Sequence, residues 1–474
     1  MNRLIILVIS LGLGLFSFGQ EKWDLRRCVD YALKNNITVK QADLQQKFAS
    51  LDLQQSKWNE LPFATFGGNS GYSAGRNQDP TTFSLITTGY LFSSYSLQAS
   101  LDLFNWFSKK NGIAVKDYNV KAYEAGFAKA KNDIALNVAL AYLQVLLTKE
   151  QVNLAKIQLG QDSSQLESVR KQVSAGTLPE LNQVQLESQF ATDSSNLVTA
   201  VSSVSTYSLQ LEILLNLDPA TPFDIESPSV DVIPVENIAD LQPEYVYSLA
   251  KVNMPQQQVD VLNVQSAQLA VKVAKAQMYP TFSMFGSLGT AFNSKAEQII
   301  SLTPINQKIG TVTINTSSYD VIASQVVPNL SKIGYFDQLN QNFRQSVGLS
   351  VSVPILNSGN LRAGWQRSKL TLAQVELTRE QNSQSLKQDI YKAYNDAAAA
   401  LEKFSANRKA VDASQKAYDF ASKRFDVGLL STFDLLTTHN TLLQAKTNLL
   451  YAQYDYVFKI KLLEFYKGQG LKLQ

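Results

Sequence analysis

The chain has few of the residues on which enzyme chemistry and metal binding depend. Its 474 residues include one cysteine, Cys28, and one histidine, His439. A single thiol cannot form an internal disulfide, and a lone histidine is usually a packed or surface residue. The sequence has no glycine-rich phosphate loop and no spaced cluster of His, Asp and Glu. We therefore predict that the protein is not an enzyme and that it holds no cofactor and no metal.

Charged residues and long apolar runs are also scarce. Asp, Glu, Lys and Arg make up 18% of the chain, and the formal net charge is +3. The sequence has no basic run with interleaved aromatic residues, which argues against a nucleic-acid partner. After the N-terminus, no apolar run reaches the roughly 18 residues that a membrane helix needs. If the protein crosses a membrane, it must do so with strands.

The N-terminus has the pattern of a secretory signal peptide. Arg3 precedes an apolar core at residues 4–16, and the small residues Ser17 and Gly19 follow. We expect residues 1–19 to be removed during export. An uncleaved anchor helix is the alternative, although the apolar core is short for a membrane span.

Most of the remaining chain is duplicated, and it is organised around a long helical hairpin. In the first copy an outgoing arm runs from about Trp106 to Ser174, a turn follows at Gly176, and a return arm ends near Asn216. The second copy repeats this pattern 252 residues later, with its turn at Gly428. Apolar residues recur at every seventh position of all four arms, which is typical of supercoiled helices. These heptad residues are Val138, Val145, Val152, Leu159, Leu166 and Val173, with Ile390, Ala397, Phe404, Val411, Tyr418 and Phe425, in the outgoing arms, and Phe190, Leu197, Val204 and Leu211, with Leu442, Leu449, Tyr456 and Leu463, in the return arms.

The heptads alone allow two interpretations. A helix of residues 107–174 would be roughly 100 Å long, which is more than a globular domain needs. One interpretation is a long antiparallel coiled coil with a purely structural role. The other is a transport protein, and the segments beside the arms favour it.

Each copy opens with a shorter helical segment that ends at a proline. These segments cover residues 23–60, before Pro62, and residues 244–278, before Pro280. The two prolines are 218 residues apart, whereas the hairpin arms are 252 residues apart. The second copy therefore has 34 additional residues between its strands, in a loop after Phe292.

Four segments beside the helices alternate between apolar and polar residues. They are residues 64–72, 95–103, 282–288 and 347–355. Alternation over about 9 to 11 residues is what a tilted membrane strand requires, with one face toward lipid and the other toward a wet lumen. A half-buried strand of a soluble sheet alternates in the same way, but no helix remains to cover such a sheet.

The alternation also assigns faces to individual residues. We expect lipid contact at Leu97, Leu101, Leu349 and Val351, and we expect polar residues such as Gln98, Ser100 and Ser350 to line the lumen. Polar loops, residues 76–92 and 293–342, are expected to connect the strands on the outer side of the membrane.

The sequence thus divides into five parts. Residues 1–19 are the signal peptide, and residues 20–217 are the first repeat. Residues 218–243 hold five prolines and form a linker that cannot be helical. The second repeat covers residues 244–467, and a tail covers residues 468–474.

The order of these parts resembles the TolC-like family of outer-membrane efflux proteins. The resemblance covers the mature chain from Trp23 to about Lys467, and it rests on the opening segment 23–36, the two helix-ending prolines and the turn at residues 427–436. It implies a mainly helical protein with a membrane β-barrel. Long antiparallel helical hairpins would form an α-barrel tunnel, and four strands from each subunit of a homotrimer would close a 12-stranded barrel.

The same resemblance implies a function, a location and partners. The protein would be the outer-membrane exit duct of a tripartite efflux or type I secretion system, with its helical tunnel in the periplasm. Its partners would be outer-membrane lipid, a periplasmic adaptor (membrane fusion) protein and an inner-membrane pump.

The resemblance further implies that the hairpin turns form the periplasmic tips and close the resting channel. The turn residues are Gly176, Pro179, Asn182, Gly428, Ser431 and Asp434. The candidate gate consists of Asp434, Phe425, Leu430 and Phe433, and the junction between helices and barrel is expected at Pro62 and Pro280. Asp434 matches the carboxylate position of the second turn, while Asn182 and Thr437 stand where further acidic residues can occur. Asp434 could cap the return helix, or three copies of it could attract cations at the pore axis.

A different class of protein fits part of this pattern. An exported structural coiled coil, such as a surface filament or an adhesin stalk, would explain the heptads and the signal peptide. It would not explain the prolines at matched positions or the alternating strands.

Overall fold

A computed structural model describes residues 22–78, 83–228, 233 and 235–468 of the chain. The expected signal peptide, residues 1–19, and residues 469–474 of the expected tail lie outside the described residues. The structure divides into two compact units. A helical unit contains the chain up to Asp52, Lys116–Gln268 and the chain from Leu370 onward, and a strand unit contains Leu53–Val115 and Leu269–Lys369.

The described residues form nine α-helices, one short 3-10 helix and six strands. In chain order they are α1 (Leu25–Asn35), α2 (Ile37–Trp58), β1 (Phe63–Gln78), β2 (Leu85–Phe104), α3 (Ser108–Ser174), α4 (Glu180–Leu215), the 3-10 helix (Ile238–Asp240), α5 (Pro243–Asn253), α6 (Pro255–Ala276), β3 (Thr281–Asn293), β4 (Glu297–Ile314), β5 (Ser317–Lys332), α7 (Tyr335–Gln341), β6 (Arg344–Ser352), α8 (Asn360–Asp426) and α9 (Thr432–Tyr466). Within these ranges, no helix combines the length and the apolar character that a membrane span requires.

The predicted helical hairpins are confirmed. The outgoing arms are uninterrupted helices of 67 residues each, α3 and α8. They begin at Ser108 and Asn360, and the return helices α4 and α9 begin at Glu180 and Thr432. Both pairs of starting residues are separated by the 252 residues that the sequence repeat predicts.

The heptad residues form the packing surfaces of these helices. All twenty of them are buried or half-buried in the chain. Val138, Val145, Ile390 and Ala397 have no exposed surface. Since burying one such apolar side chain contributes about 1.5 to 3 kcal/mol, a continuous heptad stripe stabilises a long helix far more than helix propensity does.

The short helical segments differ from the sequence prediction, which made each of them continuous. Residues 23–60 form α1 and α2 with a break at Asn36, and residues 244–278 form α5 and α6 with a break at Met254. The second break has a simple cause, because Pro255 disfavours helical geometry at the residue before it. At the first break the side chain of Asn36 replaces helical bonds. Its Nδ2 donates to the carbonyl of Leu214 at 2.8 Å, and its Oδ1 accepts from the Thr38 amide.

The four predicted strands form one antiparallel sheet in the order β1-β2-β3-β6. Two of them are longer than expected, since β2 begins at Leu85 and β1 reaches Gln78, well into the expected loop 76–92. Strand β6 is displaced toward the N-terminus and ends at Ser352, so Val353 and Ile355 lie beyond it. Pro354 follows this end, and it has no backbone N–H with which to continue the pairing.

The prediction that residues 293–342 form a polar loop is wrong. This segment contains an antiparallel hairpin, β4 and β5, followed by the short helix α7. The content of Ser, Thr, Asn and Gln favours a loop, and two extra residues in β4, Ile300 and Ile309, interrupt the alternation that would have predicted a strand.

Candidate functional site

The two reversals between the long and short helices have the same backbone geometry. Gly176 has a φ of 76° and Gly428 a φ of 74°, both in the left-handed region. The Gly176 amide donates to the Val173 carbonyl, and the Thr177 amide donates to the Gln172 carbonyl, both at 2.9 Å. The Gly428 turn has the same pair of bonds, both at 2.8 Å. This is the Schellman arrangement, which satisfies the last carbonyls of a helix and needs a residue of positive φ.

The start of α9 brings together two of the predicted turn residues. The hydroxyl of Ser431 accepts a hydrogen bond from the Asp434 amide at 3.1 Å and donates one to the Asp434 carboxylate at 2.6 Å. Ser431 is therefore the N-cap of the helix, and the Asp434 carboxylate lies at its positive end.

The first turn lacks this chemistry. Pro179 occupies the N-cap position of α4 and makes no side-chain cap, and the Asn182 amide donates to the Pro179 carbonyl at 3.1 Å. The two turns thus share a backbone but place their carboxylates differently, because the first turn of α4 has Glu180 at its start and no carboxylate at the position of Asp434.

Apolar side chains pack beside the two turns. We define the turn cluster as the buried residues Leu166 and Val169 of α3, Leu186 of α4, Ala421 and Phe425 of α8, and Leu435 of α9. Of the predicted gate residues, Phe425 lies inside this cluster, and Leu430 packs half-buried against it. Phe433 is 67% exposed. The structure therefore brings Phe425 and Leu430 together and leaves Phe433 on the surface of the chain.

The Gly428 turn yields a test with an internal control. We expect Gly428→Ala to destabilise the protein by about 1 kcal/mol or more, because alanine is strained at this φ. The matched control is Gly160→Ala within α3, where the new methyl group also meets open space but φ is helical. That change should stabilise the helix by about 0.5 to 1 kcal/mol. Thermal unfolding in detergent measures both, and shifts of the same sign would contradict the turn assignment.

A buried polar cluster lies between the long and short helices. We define it as Gln158 and Asp162 of α3, Asp193 of α4 and His439 of α9, all of which are at most 7% exposed. Nε2 of Gln158 donates to Oδ1 of Asp162 at 3.0 Å and also contacts Nε2 of His439 closely. The ring of Tyr418, on α8, lies 5.1 Å from the ring of His439. Four helices thus contribute to one polar core.

One oxygen of this cluster is not satisfied by a donor. Oδ2 of Asp162 is buried without a hydrogen bond from a donor group. The two oxygens of Asp193 accept from Gln189 at 2.7 Å and from Asn196 at 3.1 Å. Two neighbouring buried carboxyl groups cannot both remain charged at low cost, so the proximity of Asp193 favours the protonated form of Asp162.

Burial changes the pKa values of two residues in this cluster, Asp162 and His439. Burial, followed by the hydrogen bond to Asp193, raises the pKa of Asp162 to about 7. Burial also lowers the pKa of His439, against the field of Asp193 and together with the nearby Lys446. At slightly acidic pH Asp162 is therefore protonated, and burial favours the neutral form of His439.

The sequence predicted His439 as a packed or surface residue, and the structure places it in the core. Asp162 and Asp193 were missed. A signal for them exists, because Asp162 follows the heptad residue Leu159 by three positions and Asp193 follows Phe190 by three positions. Such positions face the same seam, so a carboxylate there predicts a buried polar contact. Within the described part of the chain, no group of three or more His, Cys, Asp or Glu side chains is placed to bind a metal ion.

The polar cluster predicts a specific pH dependence of stability. Because the folded state raises the pKa of Asp162, its contribution is fully present at low pH and is lost as the pH rises through about 7. His439 has the opposite sign, since its lowered pKa costs stability as the pH falls. We expect the melting temperature of the wild type to fall, relative to that of Asp162→Asn, as the pH is raised from about 6 to about 8.5.

His439→Gln is the matched control for this experiment. This change should remove the loss of stability that His439 causes as the pH falls. It should leave unchanged the loss of stability that Asp162 causes as the pH rises. Parallel pH profiles of the wild type and Asp162→Asn would show that the carboxyl group is not the titrating group.

The sheet of the strand unit has one apolar and one polar face. Leu97 pairs with Phe66 on one side and with Leu288 on the other. Met284 pairs with both Leu101 and Leu349. Because paired residues share a face, the residues that we expected at lipid form one apolar surface across all four strands. Gln98, Ser100 and Ser350 lie on the opposite face.

Both helix-ending prolines directly precede a strand. Pro62 lies between the end of α2 and the start of β1, and Pro280 lies between the end of α6 and the start of β3. At the second position, Nε1 of Trp106 donates to the Pro280 carbonyl at 2.8 Å, and its ring packs 4.9 Å from that of Tyr279. Phe104 joins this group at 5.4 Å from Trp106. Aromatic groups of this kind mark the interfacial ends of membrane strands.

Comparison with known proteins gives one consistent family. A model of the family described as outer membrane efflux protein matches residues 28–217 and 246–464. The outer membrane protein TolC of Escherichia coli K12 is 21% identical over 465 residues, which cover 96% of this chain and 84% of TolC. The outer membrane efflux protein BepC of Brucella suis is 22% identical over 388 residues, which cover 81% of this chain and 73% of BepC.

Solved structures share the fold. The CmeC outer membrane channel of Campylobacter jejuni superposes with a TM-score of 0.72 at 16% identity, covering 98% of this chain and 92% of that one. The transmembrane channel protein CusC superposes with a TM-score of 0.76 at 17% identity, covering 96% of both chains.

Proposed function

Because the chain belongs to the outer membrane efflux protein family, we propose that it is one subunit of a homotrimeric exit duct that serves a periplasmic adaptor and an inner-membrane pump. Membership of this family establishes the general role of the chain. The chain is an outer-membrane efflux channel, and its helical part extends into the periplasm. The structural coiled coil without a transport role is no longer needed as an alternative.

The unpaired edges of the four-stranded sheet are the main support for the proposed trimer. The sheet order β1-β2-β3-β6 leaves β1 and β6 with one unpaired edge each. In a bilayer, unpaired backbone groups cost several kcal/mol each, so an open sheet of four strands is not stable there. Pairing β6 of one subunit with β1 of the next removes both edges. Three copies would supply twelve strands, an even number within the range of such barrels.

The two faces of the sheet support a conduit. Closing the barrel with the apolar face outward, toward lipid, directs Gln98, Ser100 and Ser350 toward the lumen. We propose that Pro62 and Pro280 mark the change from helical tunnel to barrel. We also propose that residues 20–217 and 244–467 act as two equivalent wall segments of each subunit, joined by the linker 218–243.

The hairpin turns are the proposed contact with the adaptor and the proposed closure. The Gly176 and Gly428 reversals end the long helices of a periplasmic tunnel, which is where an adaptor from the inner membrane arrives. Leu430 and the exposed Phe433 flank Ser431 and Asp434 at the second turn, so apolar and charged side chains are available there for a gate. Phe425, packed in the turn cluster, would hold this turn in place.

The oligomeric state tests the proposal directly. We expect the mature protein, extracted in a mild detergent, to have the mass of three chains by light scattering or native mass spectrometry. The physical reason is that the free edges of β1 and β6 have no other strand to pair with among the described residues. A folded monomer in the same detergent would refute the proposed trimer.

The role of Asp434 can be separated from that of its cap. We expect Asp434→Asn to reduce the preference for cations over anions in planar bilayers, because it removes one charge per subunit near the proposed axis. Its stability should change little, since the amide oxygen still accepts from the Ser431 hydroxyl.

Ser431→Ala is the matched variant. It should cost about 1 kcal/mol of stability through loss of the N-cap and leave ion selectivity unchanged. If Asp434→Asn instead lowers stability at constant selectivity, the carboxylate serves the helix start and not the pore.

A further inference from the structure

The hairpin of β4 and β5 has more apolar surface than a free hairpin can keep in water. It forms a two-stranded sheet of its own, separate from the four-stranded sheet. Ile300, Leu302 and Ile309 of β4 are each more than 60% exposed, and Tyr319 and Val326 of β5 are 58% and 57% exposed. An isolated two-stranded hairpin is marginally stable at best, and a third layer is usually needed to cover it. Among the described residues, no other strand pairs with it.

The apolar surface of the hairpin is divided into two patches. Near the base, Leu302 pairs with Pro328, and Pro304 pairs with Val326. We define these four residues as the base patch. Since paired residues and alternate residues along a strand share a face, all four lie on one side of the hairpin.

The second patch lies near the end of the hairpin. Val312 pairs with Tyr319, Gly310 pairs with Val321, and Ile314 pairs with Ser317. We define Val312, Ile314, Tyr319 and Val321 as the tip patch. Strand β5 has no bulge, so its odd-numbered residues Tyr319 and Val321 lie on the side opposite to Val326.

The reverse side of each patch is mixed and includes polar pairs. Behind the base patch, Nδ2 of Asn329 donates to the hydroxyls of Ser301 at 2.9 Å and Thr303 at 3.0 Å. Behind the tip patch, Lys308 and Asp320 form an ion pair. Ile305 and Val327 also lie behind the base patch, and Ile322 lies behind the tip patch. Each face of the hairpin therefore has an apolar patch in one half and a mixed surface in the other, and the two patches are on opposite faces.

The hairpin is attached next to the subunit edge. It leaves the end of β3 at Asn293 and returns through α7 to the edge strand β6. Helix α7 is fixed to the sheet by hydrogen bonds from Gln338 Nε2 to the Asn293 carbonyl at 3.0 Å and from Thr290 to the Leu339 carbonyl at 2.6 Å. The opposite ends of the strands connect to the periplasmic helices, so the hairpin lies on the outer side of the membrane.

We propose that the hairpins of the three subunits pack on one another at the outer mouth of the channel, the base patch of one against the tip patch of the next. The proposal rests on the trimer proposed above. A closed ring of identical subunits joins two different surfaces of each subunit, and the hairpin offers two different apolar patches on opposite faces. Pro304 and Pro328 remove backbone donors from both strands, which disfavours pairing through the edges and leaves packing through the faces.

Chemical crosslinking of introduced thiols tests this arrangement. The only natural thiol, Cys28, is fully buried, and burial raises its pKa to about 12, so the wild type is an unreactive background. The test variant combines Val326→Cys, in the base patch, with Tyr319→Cys, in the tip patch. Treatment of the detergent-extracted protein with a short bismaleimide should give covalent trimers on a denaturing gel. Each single variant should give none, because the proposed contact joins unlike residues.

The control pair is Gln325→Cys with Ser318→Cys, which moves each thiol by one residue to the opposite face of the hairpin. This pair should give no covalent trimer. A protein that is trimeric in mild detergent but forms no crosslink in the test variant would overturn this inference and leave the exit duct intact. A monomer would overturn the exit duct itself.

Two further outcomes would also overturn the inference. Covalent dimers in a single variant would mean that like residues meet, which the two-patch arrangement does not allow. Quenching of a fluorophore at position 326 by brominated lipid would mean that the hairpin rests on the membrane surface and not on a second subunit.

Discussion

The hydrogen bonding of the backbone at the edges of the sheet is the constraint on which the rest of this protein depends. Four antiparallel strands satisfy one another everywhere except along β1 and β6. In water such edges would be solvated, but in lipid they must be paired, so the membrane part of the chain is incomplete as a single copy. The alternation of apolar and polar residues then has a structural explanation, because a closed barrel has an outer face toward lipid and an inner face toward the lumen, and a single chain does not.

The duplication keeps backbone geometry more strictly than side-chain chemistry. Both copies end their long helix with a glycine of positive φ and the same two hydrogen bonds. Both also interrupt their short helical segment at the equivalent position, which is Asn36 in the first copy and Met254, just before Pro255, in the second. In contrast, only the second copy has the cap formed by Ser431 and Asp434, and only the second copy has the β4–β5 hairpin. Backbone geometry is thus shared by the hairpin turns of the two copies, and side-chain chemistry differs at the second turn and in the connection between β3 and β6.

Most of the fold could be predicted from the sequence because apolar residues recur every seventh position in the long helices and every second position in the four strands of the larger sheet. The heptads predicted α3 and α8 and their turns, since a long helix depends on one continuous apolar stripe. The breaks at Asn36 and Met254 were not predicted, because each depends on one residue within a helical pattern. The hairpin was missed for a related reason, since the extra residues Ile300 and Ile309 shift its alternation. The polar cluster of Asp162, Asp193 and His439 joins residues that lie far apart in the chain, and only the packing of four helices shows that they meet.

The equal length of α3 and α8 has a consequence for where this chain can change in length. One residue added to a 67-residue helix would turn every later side chain by about 100° and would remove the apolar stripe from its seam over all following turns. The connection between β3 and β6 is not part of a helical seam, and it holds 34 residues for which the first copy has no counterpart. We therefore expect an insertion at the strand ends that are remote from the helices to disturb the fold less than one residue inserted within α3 or α8.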